Sequence, residues 1–256
     1  MKIYLNLSLF VFCWAPLLSE PINPQLLKLS PKRAERTTCL NPEYLVFKTN
    51  GNPEDNASLL IYLHGGGGIG SDLHRVGEQA HALIFGIHQF EKGPCFVVVP
   101  QCLRSKHSSE RGTWQEKDLN LLLDEVIEKF PVDSDKIYLT GNSMGGYGAW
   151  LWGGTCPERF AAIAPIVGGI GPRGPKDVSP DLEKWAFNLA TVPVYAFAGG
   201  RDNVVPAERS IRMVDAICRL GGKLAKIKVY QDMGHNVRQK VYSSKEFYDW
   251  MFSKVR

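Results

Sequence analysis

The sequence predicts an α/β fold: a mostly parallel central sheet flanked by helices on both faces, with no large lid domain. Three observations carry this. Apolar, β-branched runs recur along the 256-residue chain, spaced widely enough for a helix between neighbours. Several of these runs lack polar alternation, as strands buried on both faces do. The segments between them place apolar residues at helical spacing, and strands alternating with helices build a parallel sheet covered on both sides.

The first stretch stands apart from this pattern. Met1-Lys2 carries one positive charge, residues 3–18 are mostly apolar, and Ser19-Glu20-Pro21 breaks the run. This reads as a secretory signal peptide over residues 1–19, since Asn6, Ser8 and Pro16 interrupt it and it is short for a membrane span. The expectation is a secreted or periplasmic protein with no stable membrane association after cleavage. One catalytic domain follows over residues 20–256.

Within that domain the expected strands are 59–63, 95–99, 137–139, 161–167, 192–198 and 227–230. Leu119, Leu122, Leu123, Val126, Ile127 and Phe130 share one helical face before Pro131 ends the helix. Ile211, Val214, Ile217 and Cys218 do the same before Gly221-Gly222, and Phe247, Trp250 and Met251 mark a short last helix. Residues 169–180 are rich in Gly and Pro and lead into a short helical piece at 181–189. That insertion is too small for a separate domain.

Composition narrows the partners. A hydrophobic fraction of 44% and a charged fraction of 22% are ordinary for a globular chain. The net charge is +4, but the lysines and arginines are scattered, with no basic stripe interleaved with aromatics. Nucleic acid is therefore not an expected partner. Loss of the leader removes Cys13 and leaves Cys39, Cys95, Cys102, Cys156 and Cys218, an odd number without zinc-site spacing. One disulfide among them would fit an oxidising compartment.

The chemistry begins at Gly141-Asn142-Ser143-Met144-Gly145, a G-x-S-x-G between an expected strand and a helical stretch. In such an elbow the serine sits on a strained turn and its hydroxyl stands clear at the sheet's C-terminal edge. The next amide, Met144 N–H, opens the helix and is placed to donate to an oxyanion.

A serine hydroxyl needs a base. Of six histidines, His235 lies in the loop after an expected strand and before the last helix. His64 ends a strand directly before glycines, where it orders the loop, and His74, His81, His88 and His107 lack a comparable position. The carboxylate that would fix the imidazole tautomer is Asp202, just after the 192–198 strand. Asp232 is its rival, but it is too close to His235 along the chain to face Nδ1 easily.

A second oxyanion donor is expected from the loop after an earlier strand, and His64-Gly65-Gly66-Gly67-Gly68 supplies it, with Gly66 N–H the best placed. Residues 65–70 also satisfy the dinucleotide pattern G-x-G-x-x-G. No acidic residue ends a second strand at the distance that pattern requires, whereas the oxyanion reading explains these glycines together with the elbow.

With these residues in view, the chain resembles the α/β-hydrolase superfamily. It is similar, more narrowly, to secreted esterases and peptidase-like proteins related to feruloyl esterases, dienelactone hydrolases and prolyl oligopeptidases. The resemblance runs through Tyr62-Leu63-His64-Gly65, Val99-Pro100-Gln101-Cys102, residues 135–148, 159–165 and 202–206, and Gly234-His235. It implies a triad of Ser143, Asp202 and His235 and an oxyanion hole of the Gly66 and Met144 amides.

Trp114 occupies a place where such esterases often have an aromatic near the site; packing against the following helix is the other reading. Arg238 lies three residues past His235, where relatives tend to carry an aromatic. It is either a rim residue for a substrate carboxylate or a solvated surface arginine. Relatives also often have a histidine in place of Ala198, and an aspartate and tryptophan where this chain has Asn236, Val237 and Arg238.

The function expected from this resemblance is a serine hydrolase that cleaves carboxylic esters through an acyl-enzyme, without metal or cofactor. Its partner would be a small-molecule or polymer-attached ester, since the 169–189 insertion is too short and charged for an apolar lid. The alternatives are a serine peptidase of prolyl-oligopeptidase type and a catalytically inactive binding protein on the same fold.

Overall fold

Leu59, Leu60, Ile61, Tyr62 and Leu63 are each at most 1% exposed. A strand with no exposed face needs a helix layer on either side. The computed structural model describes residues 23–49, 56–91, 93–104, 114–170 and 181–256 and has that architecture. The expected leader, 1–19, lies outside these residues.

Among the described residues eight strands form the sheet: β1 (Gln25–Lys28), β2 (Glu43–Thr49), β3 (Ala57–Leu63), β4 (Cys95–Val99), β5 (Val132–Asn142), β6 (Ala162–Ile166), β7 (Val194–Gly199) and β8 (Ala225–Tyr230). Their order is β1-β2-β4-β3-β5-β6-β7-β8. From β4 to β8 all neighbours are parallel, whereas β1–β2 and β2–β4 are antiparallel. The mostly parallel sheet anticipated from the sequence is therefore correct.

Side chains alternate between the faces. Leu59, Ile61 and Leu63 enter one apolar cluster with α3 (Glu116–Lys129), α4 (Met144–Thr155), α5 (Leu182–Asn188) and α6 (Glu208–Arg219). Leu60 and Tyr62 enter the other with α2 (Leu73–Phe90), α7 (Arg238–Tyr242) and α8 (Lys245–Phe252). A short helix, α1 (Pro31–Ala34), follows β1. Its Arg33 pairs with Glu125 of α3 at 2.8 Å, which ties the antiparallel edge to the first helix layer.

Several elements exceed the expectation from sequence. β1 is only four residues long and mostly exposed, so no apolar run announces it. β2 mixes Glu43 and Lys48 with apolar residues, and α2 carries Gly77 and Gly86 in a stretch otherwise suited to a helix. All five described cysteines are free, so the disulfide that composition would permit is not formed among them. No helix among the described residues is long and apolar enough to cross a membrane.

Candidate active site

Parallel strands point their C-terminal ends one way, and the loops leaving β3, β5, β7 and β8 meet there. Ser143 follows β5 directly with φ 57° and ψ −116°, a left-handed conformation that is costly for a side-chain-bearing residue. Its N–H donates to Ile166 O at 2.9 Å, which fixes the turn to β6. Glycine is required on both sides. A Cβ at Gly145 would overlap the Leu63 carbonyl, and one at Gly141 would overlap the Gly145 carbonyl. The glycines thus let β5 turn sharply into α4 against β3, leaving the serine on the crest.

His235 Nε2 lies 2.9 Å from Ser143 Oγ, and its Nδ1 lies 2.8 Å from Asp202 Oδ2. Asp202 Oδ1 accepts from the amides of Val204 and Val205 at 2.8 and 2.9 Å, and the carboxylate has no exposed surface. With both oxygens held, Asp202 can face His235 in one orientation only. The β8 loop is tied to the β7 loop by Arg201 N–H to Met233 O and Gly200 N–H to Tyr230 O, each 2.9 Å. Asp232 points elsewhere, is 86% exposed, and pairs with Arg201.

Gly66 opens a single 3-10 turn, Gly66–Gly68, after β3. A Cβ at Gly65 would lie 3.5 Å from Ser143 Cβ, so this loop runs beside the serine. Its shape is set from behind. Cys102 N–H donates to His64 Nε2 at 2.9 Å, so the ring proton sits on Nδ1 and donates to Gly65 O at 2.7 Å. Burial pushes His64 down to about 4, against a smaller opposing effect of the Gly65 hydrogen bond. Gln79 Oε1 accepts from Gly65 N–H at 3.2 Å, and Gln101 Nε2 donates to Gly68 O at 2.9 Å. Gly66 follows Gly65 in this loop, and Met144 follows Ser143 at the start of α4.

The two remaining candidates stand behind the site. Trp114 is 2% exposed, donates its indole N–H to His64 O at 3.3 Å, and contacts the ring of His64 edge-on. It backs the glycine loop and α4, so it stands near the site but behind the loop. Arg238 starts α7 and turns its guanidinium inward, where Nη1 donates to the hydroxyl of fully buried Tyr62 at 3.2 Å. Neither the rim role nor free solvation describes it, because its Nε is also buried.

Arg209 and Tyr147 carry none of the motif roles that the sequence displays. Arg209, in the first turn of α6, donates from Nη1 to the Tyr147 hydroxyl in the first turn of α4. The signal was present in the sequence: Arg209 precedes Met213 by four residues and Ile217 by eight, a charge on the buried stripe of an amphipathic helix. Among the described residues no group of three His, Cys, Asp or Glu side chains converges to hold a metal ion.

The dienelactone hydrolase family model matches residues 103–246, more than half of the chain. A Yersinia pestis protein provisionally named carboxymethylenebutenolidase is 34% identical over 181 residues, 59% of this chain and 64% of that protein. The alignment thus spans less than two thirds of that relative. Among solved structures, a thermostable esterase superposes with a TM-score of 0.70 at 25% identity, over 91% of this chain and 63% of that one. A ferulic acid esterase superposes with a TM-score of 0.63 at 17% identity, covering 90% and 95%, which speaks to the fold alone. Sheet order, elbow and family match agree: the chain is an α/β-hydrolase and belongs to the dienelactone hydrolase family.

Proposed function

We propose that the protein is a serine hydrolase of carboxylic esters, working through Ser143, His235 and Asp202. The observation that carries this is the unbroken hydrogen-bonded line from Ser143 Oγ through the imidazole to a carboxylate with no exposed surface. His235 Nε2 takes the serine proton as Oγ attacks the acyl carbon. The Gly66 and Met144 amides receive the oxyanion. The imidazolium then protonates the leaving alcohol, an acyl-serine remains, and a water activated by His235 releases the acid.

Asp202 holds the proton of His235 on Nδ1, so that Nε2 is the free base. The esterase among the structural neighbours and the family match favour an ester over a peptide as substrate. In this reading the enzyme acts outside the cytoplasm, after loss of the apolar leader. Incubation with a fluorophosphonate followed by peptide mapping tests the nucleophile. Adduct on Ser143 together with hydrolysis of short aryl esters supports the reading; intact, unlabelled Ser143 in protein that hydrolyses no ester overturns it.

A further inference from the structure

Gln79 is a polar residue on an apolar stripe. In α2 it shares a helical face with Val76, Ala80 and Leu83, all of them buried. A half-buried amide at such a position loses hydration and needs partners in exchange. Those partners lie in the glycine turn that leaves β3. Gln79 Oε1 accepts from Gly65 N–H at 3.2 Å, and a Cβ at Gly67 would lie 3.7 Å from Gln79 Nε2.

Two consecutive peptide groups of that turn are held in place. The His64–Gly65 peptide is gripped at both ends, its carbonyl accepting from Trp114 Nε1–H at 3.3 Å and its N–H donating to Gln79. The carbonyl of the next peptide, Gly65–Gly66, accepts from His64 Nδ1 at 2.7 Å and from Gly68 N–H at 2.9 Å. In a planar trans peptide the N–H points away from the C=O, so Gly66 N–H is aimed from behind. Gly65 joins the two groups with φ −77° and ψ 176°. No side chain can stiffen it there, because a Cβ at Gly65 would come within 3.2 Å of Asn142 O. A glycine is the freest of residues, so its rigidity has to come from its hydrogen bonds. Gly66 N–H itself donates to no group among the described residues, and a Cβ at Gly66 would meet nothing within 4 Å. The donor is unspent, and the space beside it is open.

We propose that Gln79 is a positioning residue for the reaction: by holding Gly65 N–H it fixes the backbone that aims Gly66 N–H at the oxyanion. Gln79 touches no reacting atom and acts through the turn. A donor placed before the reaction costs no reorganisation when charge develops, whereas a donor on a loose glycine turn must be ordered at that moment. The assignment rests on the ester-hydrolase reading.

The test compares the full chain with Gln79→Met and Gln79→Glu. Methionine keeps the length of the side chain and removes the acceptor; glutamate keeps an acceptor oxygen for Gly65 N–H. On 4-nitrophenyl butyrate, Gln79→Met should lower kcat by roughly 10- to 100-fold and leave KM within about twofold, because a misplaced oxyanion donor is missed only in the transition state. Unchanged kcat, or a loss carried by KM, overturns the role. Amide hydrogen exchange, followed by NMR on protein labelled with heavy-nitrogen glycine, reads the turn without turnover. Gly65 N–H should exchange about tenfold faster or more in Gln79→Met, as when a local hydrogen bond opens, and should stay slow in Gln79→Glu. That pattern supports the role even in protein that hydrolyses no ester, so the two readings fail separately. Equal Gly65 exchange in the wild type and Gln79→Met overturns it.

Discussion

Nδ1 of His235 faces Oδ2 of Asp202 at 2.8 Å, while the second oxygen of that carboxylate is spent on its own loop. An orientation fixed from both ends leaves the imidazole one tautomer. Asp202→Asn should therefore lower kcat by about 10³- to 10⁴-fold, the scale expected when the tautomer is wrong. Asp232→Asn should change kcat by less than about twofold, since an exposed ion pair with Arg201 contributes little. Steady-state kinetics on one aryl ester decide between the two acids; the reverse pattern would move the acid to Asp232.

In the proposed mechanism Ser143 and His235 act on a single proton, so their removal should not add. Ser143→Ala and His235→Ala should each cost roughly 10³-fold or more in kcat, and the double variant should be little worse than either. Multiplicative losses would mean that the 2.9 Å contact between them is not the reactive one.

Much of this site is legible in the sequence because strand-end loops carry its residues. The elbow sequence around Ser143 needs glycine for a backbone reason that any homologous turn shares, and Asp202 and His235 each follow a run of apolar strand residues. Trp114 and Arg238 were legible as positions but not as orientations. Trp114 faces the back of the glycine loop because the His64 carbonyl needs a donor there, a partner 50 residues away in the chain. Arg238 turns inward to Tyr62, 176 residues away. The same limit hid β1, a short and mostly exposed strand held by its pairing with β2.

The inward turn of Arg238 makes it a stability residue. Burial raises Tyr62, so its phenol keeps its proton and its oxygen accepts from the guanidinium. Arg238→Ala should destabilise the fold by about 1–3 kcal/mol, the cost of leaving a buried polar group unpartnered, reduced by relief of its own unpaired Nε–H. In a Tyr62→Phe background the same substitution should cost less. Urea midpoints for the four proteins of this cycle provide the measurement, and additive losses would separate the two side chains energetically.

His64 should give the protein a distinct acid limb of stability. Its folded value is about 4 against 6.5 for the free side chain, because burial disfavours the imidazolium. Between those values the unfolded chain binds the proton and the native chain does not, so stability rises with pH across that window. The contribution is complete above about pH 6.5 and is lost as the pH falls toward 4, a change on the order of 3 kcal/mol. Glu125 acts in a lower window. Burial would raise it, but hydrogen bonds from Lys129, Arg33 and Ser30 outweigh burial and hold it at about 2, below its ordinary 4.5. Its stabilisation is therefore lost as the pH falls from 4.5 toward 2. His64→Asn retains a donor toward Gly65 O but removes both the titration and the acceptor for Cys102 N–H. Urea midpoints measured from pH 7.5 down to 4 should fall steeply for the wild type and more gently for His64→Asn. Below pH 4 the two slopes should converge, because Glu125 is common to both. Parallel curves throughout would mean that His64 does not titrate between pH 4 and 6.5, and the tautomer that shapes the Gly66 loop would have to be held by another group.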